Sequence, residues 1–68
     1  MEKDWSKIYH STDFFKTEIV RQVLLDNGVE AVLIDKRGYP YNIIGQVEVF
    51  VHQDNFSQAT ELILANDL

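Results

Sequence analysis

Gln46-Val47-Glu48-Val49-Phe50-Val51-His52 decides how the rest of this chain must be arranged. Val47, Val49 and Val51 fall on one side of it, and Glu48, Phe50 and His52 on the other. Successive side chains of a β-strand point to opposite faces, so the stretch reads as a strand over 46–52 whose valine face meets a core. Asp54 follows as a helix N-cap type. Phe56, Ala59, Thr60, Leu62 and Ile63 then line one side of a helix predicted over 55–66.

Upstream lies a loop, Lys36-Arg37-Gly38-Tyr39-Pro40-Tyr41-Asn42, punctuated by its glycine and proline. Before it, Val29–Asp35 is apolar, rich in β-branched residues and too short for a helix, which predicts a strand buried along most of its length. Asn27-Gly28 ends a preceding helix, because glycine accepts the left-handed conformation of a C-terminal cap. That helix, predicted over 14–27, opens after the capping types Ser11, Thr12 and Asp13. Its apolar side is read from Phe15, Ile19 and Val23, with Val20 and Leu24 adjacent. A first strand over 6–11 sets Ile8 and His10 on one face and Lys7 and Tyr9 on the other.

The order strand–helix–strand–strand–helix has few solutions. A right-handed crossover joins the first two strands in parallel and leaves a gap between them, and the 46–52 strand fits that gap antiparallel to both. The expected fold is α+β: a two-layer ferredoxin-like sandwich with sheet order 1-3-2 and the fourth strand missing.

Sixty-eight residues predict one domain over 1–68. A chain of that length buries only about 60% of its unfolded surface, so it needs support. The sequence holds no cysteine, which excludes disulfides and thiolate metal sites and leaves association with another chain. Eleven acidic against six basic residues give a net charge of −5, which opposes binding to nucleic acid. Met1 leads into the charged Glu2-Lys3-Asp4, unlike a signal peptide, and no apolar run approaches the ~20 residues of a membrane helix. A cytoplasmic protein without membrane contact is expected.

Chemistry-bearing patterns are sparse. His10 and His52 have no spacing that would make a metal site, the glycines at 28, 38 and 45 cannot cradle a phosphate, and Ser11 and Thr12 are explained as caps. No catalytic residue, metal or cofactor is expected. The 36–41 loop stands out, since Lys36 and Arg37 beside Tyr39 and Tyr41 could hold a small anionic ligand by charge and stacking. The sheet face turned away from the helices stands out as well. Phe50 and His52 belong to it, the parity of the first strand adds Tyr9, and an uncovered apolar face marks an interface.

Across nearly its whole length the chain resembles the DUF2007 family, short bacterial domains described as signal-transducing, with a fold related to the GlnB-like plait. The residues that carry the resemblance are Trp5, Leu24-Leu25-Asp26-Asn27-Gly28-Val29, Ala31-Val32-Leu33-Ile34, Tyr41 with Gly45, Glu48-Val49-Phe50-Val51, Asp54 and Ala59. Nothing matches the long nucleotide-binding loop of PII regulators. The resemblance therefore implies a fold and a regulatory role, and no ligand or catalytic residue. The expected function is a non-enzymatic signal-transducing or regulatory module. It would form a homo-oligomer, or bind a protein partner, through the open sheet face or the first-strand edge. A sensor of a small anionic ligand at the 36–41 loop is the alternative.

Overall fold

The computed structural model describes residues 4–37 and 46–68. Of the three capping types ahead of the first helix, Asp13 is the one used. It follows strand β1 (Trp5–Ser11) with an extended backbone, and its Oδ1 accepts from the Lys16 amide at 3.2 Å. The Thr17 hydroxyl donates to the Asp13 carbonyl at 2.9 Å, which lets a threonine sit with no exposed surface. Helix α1 runs from there over Phe14–Asp26. Asp13→Ala is expected to lower the unfolding free energy by about 1 kcal/mol in urea titration, and an unchanged midpoint would assign the cap to Ser11 or Thr12 instead.

Gly28, at φ +81°, closes α1. Its amide donates to Leu25 O at 3.0 Å and the Val29 amide to Leu24 O at 2.9 Å. This paired arrangement satisfies the last carbonyls and folds buried Val29 back onto the core. The second helix, α2 (Phe56–Ala65), ends the same way, with Asp67 at φ +56° in the glycine position and Leu68 packed against the core.

Strand β2 spans Ala31–Asp35 and β3 spans Val47–His52. The sheet order is β1-β3-β2, with both pairings antiparallel, and the element order is the β-α-β-β-α of a ferredoxin-like plait. The described residues hold three strands. Val20 and Leu24 of α1, Ala59 and Ile63 of α2, and Val49 and Val51 of β3 share one buried cluster with Val29 and Ala31. Both helices therefore cover the valine face of β3.

Three local expectations are corrected. Phe15 and Ile19 do not face the core; they are 78% and 54% exposed, and Thr17, Val20 and Leu24 form the buried stripe. The cap at Asp13 and the staple at Gly28 fix the rotation of the helix, and apolar spacing alone does not distinguish the two phases. Asp54 does not cap α2. The chain tightens into a 3-10 turn at Gln53–Asn55, where the Asp54 amide donates to His52 Nδ1 at 3.2 Å. Burial of β2 is also less continuous than expected, since Val32 and Asp35 are exposed. Among the described residues, no helix is long and apolar enough to cross a membrane.

Candidate functional site

The antiparallel registers dictate which side chains share the helix-free face. Glu48, Phe50 and His52 of β3 point there. Val32 lies opposite Phe50, and Ile34 opposite Glu48, on β2. From β1 come Trp5 opposite His52, Lys7 opposite Phe50 and His10 opposite Glu48. The Trp5 and His52 rings meet edge to face with centroids 6.0 Å apart. Phe50 is partly buried among these neighbours, and Val32 beside it is 37% exposed.

Tyr9 is not part of this face. A bulge between Lys7 and Tyr9 inserts Ile8 into β1, so Tyr9 lies opposite Val49 and packs, with Ile8, against the core. One extra residue reverses the parity of everything beyond it. That is why Lys7 and His10, an odd and an even position, share the open face.

Glu48 is the electrostatic centre of the face. Although no helix covers that side, the residue is only 6% exposed. Lys36 Nζ stands 2.9 Å from one carboxylate oxygen and Lys7 Nζ 3.4 Å from the other. The hydrogen bond from Lys36 is the main cause that holds its carboxyl below the ordinary range, against the opposing effect of burial. A carboxylate kept ionised and occupied by two ammonium groups is a poor general base.

The cations of the predicted anion site are both engaged within the chain. Lys36 binds Glu48. Arg37 makes a two-point contact with Asp35, 3.0 Å at each nitrogen, and lies over the Phe14 ring at 5.3 Å. Tyr39 and Tyr41, the other two members of that site, lie outside the described residues. Among the described residues, no group of three or more His, Asp or Glu side chains is arranged to hold a metal.

Sequence reasoning missed the part Trp5 plays on this face and left the orientation of β2 open. Residues 31–34 are apolar on both parities, so only the register with β3 tells that Val32 and Ile34 face outward. Compared with known proteins, the chain matches no family model, no curated protein and no solved structure.

Proposed function

We propose that this chain is a non-enzymatic interaction module of the cytoplasm, regulatory or signal-transducing in role, that self-associates through its helix-free sheet face. The observation that carries the reading is the composition of that face. Trp5, Val32, Ile34 and Phe50 supply an apolar centre, rimmed by Lys7, His10 and His52, and Glu48 is neutralised inside it. An apolar centre inside a polar rim is the usual anatomy of a protein–protein contact. A domain this small also gains much from further burial. The resemblance to DUF2007 supports the regulatory role.

The first-strand edge is the weaker of the two contact surfaces. Its bulge and the lysine beside it, Lys7, are devices that blunt an exposed edge against strand addition. The alternative, a sensor of a small anionic ligand at the 36–41 loop, has less support, because Lys36 and Arg37 each already meet a carboxylate.

Phe50→Glu tests the reading, since it sets a second acid beside Glu48 in the middle of the face. Sedimentation equilibrium at micromolar concentration is expected to show an oligomeric parent and a variant of lower mass, with circular dichroism confirming that the variant is folded. A parent at monomer mass, or a folded variant at the parent's mass, would reject the face as the contact.

A further inference from the structure

The other edge of the sheet is built differently from the first. The Lys36 amide donates to Gln46 O at 2.9 Å, and bonded pairs alternate along an antiparallel ladder. Val32–Phe50 and Ile34–Glu48 are therefore the bonded pairs between β2 and β3. The amides and carbonyls of Ala31, Leu33 and Asp35 consequently point away from the sheet. No bulge interrupts β2, whose register with β3 is regular from Ala31 to Asp35.

Helix α1 flanks this edge with one stripe, Phe14, Glu18, Arg21 and Leu25, at the i, i+3 and i+4 spacings of a single helical side. Glu18 and Arg21 line, with Ala31, Val32 and Leu33, a groove of about 410 Å³ along the strand. Phe14 lies toward the Arg37 end, beneath that guanidinium. Leu25 is 37% exposed, as is Val32.

Both lines of residues complement themselves. A twofold axis through Leu33 pairs that residue with its own copy, Ala31 with Asp35, Val32 with Ile34 and Glu30 with Lys36. It is the antiparallel register that uses the outward backbone groups of all three residues, and it places an acid opposite a base at each end. Within one copy the Arg21 guanidinium already donates to the Glu18 carboxylate, and the groove puts this pair beside Ala31–Leu33. The same axis therefore brings the two pairs together, with Glu18 beside Arg21 of the other copy and Phe14 beside its Leu25. The local charge agrees. Within each copy Arg21 meets Glu18, Arg37 meets Asp35, and Lys36 and Lys7 meet Glu48, so with Glu30 added four acids stand against four bases in a chain whose net charge is −5. A surface that is locally neutral and sign-matched can meet its own copy without the repulsion of the whole.

We propose that the β2 edge and the α1 stripe beside it dock a second copy of this chain, joining two sheets into one continuous antiparallel sheet across a twofold axis. Strand addition supplies the backbone bonds, and the paired charges fix the register. This contact is separate from the helix-free face, which it leaves open on one side of the joined sheet.

Charge reversal tests it. Glu18→Arg and Arg21→Glu each set like charges against each other across the axis. Each variant alone, folded by circular dichroism, is expected to sediment at half the mass of the parent. An equimolar mixture of the two should regain the parent mass, because two cations on one copy then face two acids on the other. Leu33→Pro removes an outward amide while sparing the ladder to β3, and should halve the mass as well. Single variants at the parent's mass overturn the proposal, as does a mixture that stays at the lower mass or a parent at the 7.9 kDa of one chain. Phe50→Glu reads the face contact separately and is expected to leave the response to charge reversal intact.

Discussion

Leu24→Ala is expected to lower the unfolding free energy by roughly 2–5 kcal/mol, because it truncates the largest fully buried side chain among the described residues. Leu24 has no exposed surface and sits in the cluster that joins both helices to β3. Its carbonyl also accepts the Val29 amide, so the space left by truncation opens where the helix is stapled to the following strand. Natural domains are stable by about 0.05–0.15 kcal/mol per residue, and a chain of 68 residues has little beyond this loss to draw on. Urea unfolding followed by circular dichroism should find Leu24→Ala largely unfolded or close to its midpoint without denaturant. Phe15→Ala, at a residue 78% exposed, should stay within about 0.5 kcal/mol of the parent. Equal losses in the two variants would refute the helix phase described above.

Lys36→Ala is expected to cost about 1–2 kcal/mol, more than Lys7→Ala. It leaves a nearly buried carboxylate with only the longer contact to Lys7, at 3.4 Å. The figure stays low because Lys36 is itself 55% exposed, and solvent screens its pair. The pH dependence identifies the cause. Glu48 has a folded pKa below its unfolded one, so it contributes stability above the unfolded value that is lost as pH falls through the folded value. Glu18 and Asp35, lowered by Arg21 and Arg37, add to the same acid limb. The difference between the parent and Lys36→Ala isolates Glu48. Unfolding free energies measured from about pH 6 to about pH 2 should converge at the acid end, where the carboxyl is protonated in both proteins. A gap that persists unchanged to the lowest pH would remove Glu48 as its source.

The strand order and the element boundaries were legible because they rest on strong local signals. Val47, Val49 and Val51 mark a strand with one buried face, Gly28 marks a helix end, and the handed crossover leaves one place for β3. What stayed hidden depends on single residues or on distant pairings. The extra residue at Ile8 turns Tyr9 inward, and no alternation in Trp5–Ser11 announces it. Phe15 and Ile19 match a helical period as well as Val20 and Leu24 do, so composition could not choose between them. The burial of Glu48 arises from lysines far from it in sequence, Lys7 and Lys36, and became visible only with the fold. Phe50 was the readable part of the open face, because its direction follows from the valines on either side of it.

The central place of β3 also governs the order in which the chain can assemble. β1 and β2 are not paired with each other, so a chain growing from its N-terminus has no sheet until β3 has been made. Trp5 must then find His52 and Ser11 find Val47, pairings that close long loops and are slow to form compared with local helix contacts. The β2–β3 pair is closer in sequence and has the lower entropic barrier, and β1 joins last, stitched on across its bulge. In this topology the first of the three strands to be synthesised is the last to be secured. Until then the β1-facing edge of β3 stands open to other nascent chains.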